Sequence, residues 1–103
     1  AYAEISVLYQ DPNQQIWVGS YGSGLFRWDQ KQQQLQHINL PEQVAGVSSL
    51  HLNDLMMDQQ GQLWLAAGNA PVRTMAGASG GVIRWQLSGN QLTGFLNTAD
   101  QTP

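Results

Sequence analysis

Ile5-Ser-Val-Leu8-Tyr-Gln-Asp11-Pro-Asn-Gln-Gln-Ile16-Trp17-Val18 decides the fold, because the chain contains it twice. The second copy is Leu52-Asn-Asp-Leu55-Met-Met-Asp58-Gln-Gln-Gly-Gln-Leu63-Trp64-Leu65. Ile5, Leu8, Asp11 and Trp17 map onto Leu52, Leu55, Asp58 and Trp64 at one offset, 47 positions. Further on, Gly24-Leu-Phe-Arg27-Trp28 returns as Gly81-Val-Ile-Arg84-Trp85 at an offset of 57, with Leu35 and Ile38 matched by Leu92 and Phe95. The second copy therefore carries ten extra residues between Trp64 and Gly81. A repeat of this period is the mark of a propeller or solenoid.

Each copy divides into four short apolar segments separated by turn residues. In the first copy the pattern predicts strands near 4–10, 15–20, 24–29 and 34–39. Pro12 suits the second position of a turn that Asp11 caps, and Gly61 supplies positive φ in the matching turn after Asp58. Asp29 to Gln33 and Ser88-Gly89-Asn90 form the third turns. Segments of this length, rich in Ile, Val, Leu, Trp and Phe and without a helical period, read as strands. Four antiparallel strands per repeat make a blade. The predicted fold is all-β: two four-stranded antiparallel blades, a fragment of a β-propeller. Residues 1–45 form blade 1 with the start of a connector, and 46–103 form blade 2 with a loop insertion at about 67–80.

Composition narrows the function classes. Of 103 residues 42% are hydrophobic and only 11% charged, with short Gln runs in turns filling the gap. The net charge is −3 and the four basic residues Arg27, Lys31, Arg73 and Arg84 are scattered. A nucleic-acid partner is therefore not expected, since phosphate neutralisation needs a clustered basic face. No apolar run approaches the roughly 20 residues of a membrane helix. The absence of cysteine excludes disulfides, thiolate zinc sites and a cysteine nucleophile. Ala1 opens directly into strand-like sequence without an initiator Met, which reads as a piece of something longer.

A hydrophobic triplet, Asp, a turn, then Ile16-Trp17-Val18-Gly19 and Gly24-Leu25-Phe26-Arg27-Trp28 resembles the two-component regulator propeller repeat. The resemblance runs from Ile5 to about Asn97. The second copy departs from it where Ala66-Ala67 replaces Gly-Ser and where the insertion breaks the middle. The resemblance implies an extracytoplasmic, periplasmic sensor region of a membrane-anchored bacterial histidine kinase, hybrid regulator or diguanylate cyclase. It also implies a small-molecule or carbohydrate ligand; no cofactor is expected.

Topology indicates where such a ligand would sit. The loop between second and third strands and the connector to the next blade share one end of a blade. The connector, 39–49, and the insertion, 67–80, are long, and binding residues concentrate in long loops on rigid scaffolds. The candidate ligand residues are Tyr21, His51, Asn69 and Arg73. Recurring residues read as architecture. Trp17 and Trp64 form inter-blade core, Arg27 and Arg84 beside Trp28 and Trp85 are structural, and Asp11 and Asp58 cap turns rather than bind calcium. Gly77-Ala-Ser79-Gly-Gly81 matches a nucleophile elbow only formally, because a strand follows it and both His37 and His51 lie upstream. Two isolated His residues make no metal site. The chain reads as non-catalytic, a sensor segment or, alternatively, a structural or protein-interaction propeller. Two blades cannot close a ring alone, so their partners are expected to be the remaining propeller blades or, for the fragment, further copies of itself.

Overall fold

The turn chemistry sets where the chain reverses. A computed structural model describes residues 4–68 and 80–96. In the first reversal Gln14 N donates to Asp11 O, and Asp11 N donates to Gln15 O, both at 2.9 Å. Gln14 is left-handed at φ 69°, the conformation Gly61 takes (φ 79°) in the equivalent turn after Asp58. Gln33 and Asn90, at φ 55° and 51°, repeat this correspondence in the third reversal. A left-handed residue closing a short hairpin loop matches the twist of the strands it joins.

Four strands follow from these turns in the first copy: β1 Glu4–Gln10, β2 Ile16–Tyr21, β3 Leu25–Asp29 and β4 Gln34–His37. The second copy gives β7 Leu52–Met57, β8 Gln62–Ala67, β9 Gly81–Gln86 and β10 Gln91–Leu96. Each set is an antiparallel sheet in chain order, β1-β2-β3-β4 and β7-β8-β9-β10. Registers repeat as well. Tyr9, Trp17 and Arg27 lie side by side in one sheet, and Met56, Trp64 and Arg84 in the other. Both first strands break register at the same point, between Ile5 and Val7 and between Leu52 and Asp54. The two blades expected from the sequence are present, and no helix occurs among the described residues.

The connector is more structured than a loop. It folds into a hairpin, β5 Gln43–Val44 and β6 Val47–Ser48, turned by Ala45 and Gly46 with φ 52° and 84°. Two successive left-handed residues form the tightest hairpin turn. The hairpin rests on β9 and β10 of blade 2. Gly94 admits it: a Cβ there would lie 2.0 Å from the Val44 carbonyl oxygen.

The core forms where the blades face each other. Alternation along a strand sends one set of side chains to each face of its sheet. Along β8, Leu63, Leu65 and Ala67 are buried, whereas Gln62, Trp64 and Ala66 are half-exposed. Leu63, Leu65, Leu55 and Ile83 of blade 2 join Trp17 and Leu25 of blade 1, with hairpin residues Val44 and Val47 closing one side. Trp17 meets Trp85 edge to face, centroids 6.2 Å apart and planes at 81°, the favoured geometry for an aromatic pair. Polar bonds also cross: Met57 N donates to the Tyr9 hydroxyl at 3.0 Å, and Ser6 Oγ donates to Leu52 O.

Candidate functional site

Two ends of the blade pair carry polar constellations. At the turn end each copy builds the same clamp. Asp11 Oδ1 accepts from Asn13 N (2.8 Å) and Gln15 N (2.9 Å), while Oδ2 accepts the Trp17 indole N–H at 2.9 Å. Asp58 Oδ1 accepts from Gln60 N and Gln62 N, both 2.9 Å, and Oδ2 takes the Trp64 N–H at 2.7 Å. The carboxylate therefore caps the turn and also gives an acceptor to the indole N–H, which the core encloses for Trp17 and leaves half-exposed for Trp64. The Trp64 N–H, aided by Gln62 N–H, Gln60 N–H and the charge of Arg84, holds the Asp58 carboxyl below its ordinary value against the opposing effect of desolvation.

Arginine completes each clamp from the next strand. Arg27 lies over Trp17 with its guanidinium carbon 5.7 Å from the ring centroid. Arg84 lies 5.8 Å over Trp64 and 5.7 Å over Phe95. The stacking partner is the tryptophan across the ladder, not the adjacent Trp28 or Trp85, because neighbours in a strand point to opposite faces. Trp85 instead packs on Trp17 and donates its N–H to Asn90 Oδ1 at 3.2 Å.

A polar groove of about 560 Å³ opens at the turn end of blade 1, with Gln10, Gln15, Trp28, Asp29 and Lys31 in its wall. The residue in blade 2 that matches Trp28 is Trp85, which blade 1 covers. Trp28 reaches the groove because, among the described residues, no second blade covers its face of blade 1.

The opposite end holds two of the sequence-predicted ligand residues, Tyr21 and His51. β2 ends at Tyr21, and the Gly22-Ser23-Gly24 turn uses φ 101° and 80° at its glycines. Gly22 N and Gly24 N both donate to Leu50 O, at 2.7 and 3.0 Å. Ser20 Oγ, fully buried, donates to Gly24 O at 2.8 Å and accepts from Ser23 N. The connector is thereby stitched to the tip of blade 1, and Tyr21 pairs with His51 in an isolated antiparallel bridge. His51 O in turn accepts from Gly68 N of blade 2 at 2.9 Å. His51 stands at the seam between blades, and its Nδ1 is buried without a hydrogen-bond partner. Tyr21 is 47% exposed beside it.

Two of the four predicted ligand residues thus come together. Asn69 and Arg73, with most of the insertion and Ser79, lie outside the described residues. The sequence reading missed Asn53: its side chain lies against Gly68, where a Cβ would come within 2.3 Å of Nδ2. It sits in the bulge of β7, and only the matching bulge residue Ser6 hints at that special place. Among the described residues no three His, Asp or Glu side chains gather as metal ligands.

No curated protein gives a significant match to this chain. The model of the two component regulator propeller family matches residues 2–22, the stretch that holds β1, the Asp11 turn, Trp17 and Tyr21. Over that stretch the chain is similar to the family's repeat, and with its two successive blades it is a β-propeller segment.

Proposed function

We propose that this propeller segment belongs to the ligand-sensing region of a bacterial signalling receptor, on the extracytoplasmic side of the membrane. It binds a small molecule or glycan at the end of the blades where Tyr21 and His51 meet. The observation that carries the reading is the Tyr21–His51 bridge at the inter-blade seam, where the His51 Nδ1 stays unpartnered. An unsatisfied buried group costs about 1–3 kcal/mol, and a hydroxyl-rich ligand that reaches it recovers part of that. Tyr21 belongs to blade 1 and His51 leads into blade 2, so one ligand touching both biases the angle between blades. A receptor needs such coupling to pass a signal on. The similarity of residues 2–22 to the two component regulator repeat supports the signalling context.

Thermal-shift measurements with panels of glycans and metabolites test this, since a ligand that binds only the native state raises the melting temperature. Compounds that stabilise the chain are expected to lose that effect in Tyr21→Ala and His51→Ala, and to weaken when residues 69–79 are shortened. Stabilisation unchanged in all three variants overturns the proposal. The second reading, a non-catalytic structural or interaction propeller, draws on the two apolar sheet faces left open by the blade pair.

A further inference from the structure

Each blade has one covered face and one open face, and the repeat relates them crosswise. Blade 1 covers its Trp17 face with blade 2, and Trp17 is 1% exposed. The equivalent Trp64 face of blade 2 is open, with Met56 52% and Phe95 42% exposed. Conversely, blade 2 presents Leu55, Leu63, Leu65, Ile83 and Trp85 to blade 1. Their equivalents in blade 1 are Leu8, Ile16, Val18, Phe26 and Trp28. Those lie on the face turned away from blade 2, where Leu8 is 69% and Ile16 37% exposed while Val18, between Leu8 and Phe26 in the ladder, is buried; Leu55, the counterpart of Leu8, is 4% exposed.

The inter-blade interface therefore continues at both sides of the pair, as one half on each. The open face of blade 1 is the half that blade 2 uses inside the chain, and the open face of blade 2 is the half that blade 1 uses. We infer that these two faces dock on each other in trans, head to tail, so that copies of this chain associate into a closed ring. Propellers close with about four to eight blades, which makes rings of two to four copies.

The outer strand of blade 1 favours a second copy over a blade joined by a connector like residues 39–49. In blade 2 that hairpin rests on Gly94, where no Cβ has room. The matching residue of blade 1 is His37, whose ring packs against Phe26 at a tilt of 59°, centroids 5.0 Å apart, with its Nε2 3.1 Å from Ser23 O. The place of the hairpin is already filled. The open face of blade 1 carries no Asp, Glu, Lys or Arg on the strand positions that alternate with Leu8, Val18 and Phe26, so Asp54 on the open face of blade 2 meets no like charge there. On the other side a mainly apolar hollow of about 490 Å³, walled by Met56, Trp64, Ala66 and Val82 with Asp54 and Asp58 also in its lining, stands ready to take side chains. A head-to-tail pairing with unlike patches closes into a ring when the rotation fits.

The pairing predicts which atoms meet. Inside the chain a Cβ on Gly19 would lie 3.3 Å from the Leu52 Cβ. The same step between copies brings Ala66 of one to Ile5 of the next, close to the Cβ separation of about 3.8 Å that a disulfide spans. The chain has no cysteine of its own.

The test uses the 103-residue chain by sedimentation velocity and light scattering across about 1–200 µM. The expected wild-type result is a species of two to four chain masses at the upper end of that range. Leu8→Asp blocks one face and Met56→Asp the other, both at exposed positions where folding tolerates a charge. Each variant alone is expected to be monomeric, and their mixture to give a 1:1 dimer that grows no further. Separately, Ile5→Cys mixed with Ala66→Cys is expected to oxidise to a covalent heterodimer in preference to either homodimer. A wild-type chain that stays monomeric throughout overturns the inference and assigns the faces to another occupant. Dimerisation of Leu8→Asp or Met56→Asp by itself overturns it as well, because it shows like faces pairing with like. A cysteine mixture that yields mainly homodimers does the same.

Discussion

Replacing Asp11 by Ala removes the acceptor of three donors at once, and the cost can be worked from their surroundings. Asp11 is 4% exposed and Trp17 is 1% exposed, so the orphaned indole N–H cannot reach water. Leaving such a donor unpaired costs about 1–3 kcal/mol. Asn13 and Gln15 are exposed, so water can replace part of what their N–H groups lose, at about 0.5–1.5 kcal/mol each. Together the loss is about 4 kcal/mol, a large share of the roughly 5–15 kcal/mol that holds a domain folded. With a urea slope of about 2 kcal/mol per molar, the unfolding midpoint falls by about 2 M. Asp58→Ala removes the same three bonds, yet Trp64 is half-exposed and its N–H finds water, so that variant is expected to lose less. Urea unfolding followed by circular dichroism, at a dilution where the chain is monomeric, measures both. Asp11→Asn refines the test: its amide serves the turn with oxygen but then points N–H at N–H toward Trp17. In a Trp17→Phe background that conflict vanishes, so the Asn penalty is expected to shrink by about 1–3 kcal/mol. Equal losses for Asp11→Ala and Asp58→Ala, or an Asn penalty indifferent to Trp17, refute the reasoning.

Three other outcomes are expected. Gly19→Ala places a Cβ 2.6 Å from Val7 Cγ1 and 3.3 Å from Leu52 Cβ, so it destabilises by about 1–3 kcal/mol, and adding Val7→Ala recovers much of that; a double variant no better than the single one rejects the steric account. Gln14→Gly relieves a left-handed non-glycine residue, φ 69°, and is expected to raise stability by up to about 1 kcal/mol, whereas a lower melting temperature contradicts it. Asp58 has a folded-state pKa below its ordinary 3.8, so its stabilisation is present above that value and is lost as pH falls through the lowered one. Asp58→Asn is therefore expected to be less stable at neutral pH and to lose less on acidification below about pH 4; melting curves of unchanged acid slope count against this.

The repeat made the blades legible, and it did so because each blade must bury the same kind of face. The strands near 4–10, 15–20, 24–29 and 34–39 match β1 to β4 within two residues at each end. The connector hairpin was not legible, since two-residue strands have no alternation to read and Val44 and Val47 resemble any apolar loop pair. The Asp-to-Trp bond was visible as a spacing of six positions in both copies. A turn-cap reading counted only backbone donors, although a tryptophan enclosed by the core must also place its N–H. A structural role for Arg27 and Arg84 is legible in the repeat, and the two-residue period of a strand, which sends Arg27 and Trp28 to opposite faces, points to the ring across the ladder as the partner. At the loop end, Tyr21 and His51 came together because the connector returns across the tip of blade 1, a path set by Leu50 O accepting from Gly22 and Gly24.

What sequence identity between the copies could not supply is their difference in environment. Trp17 and Trp64 share a motif, an acceptor carboxylate and a stacked arginine, yet one is sealed and the other half-open. The distinction is made by the neighbour: blade 2 covers Trp17, whereas among the described residues no second blade covers Trp64. A clamp has its full worth only when its indole is shut away from water. If copies dock head to tail, Trp64 becomes as enclosed as Trp17, and the cost of Asp58→Ala rises toward that of Asp11→Ala with protein concentration. A gap between the two variants that closes as concentration rises ties the clamp chemistry to the association of blades. A gap that persists while rings form shows that the docked surface leaves the Trp64 clamp outside.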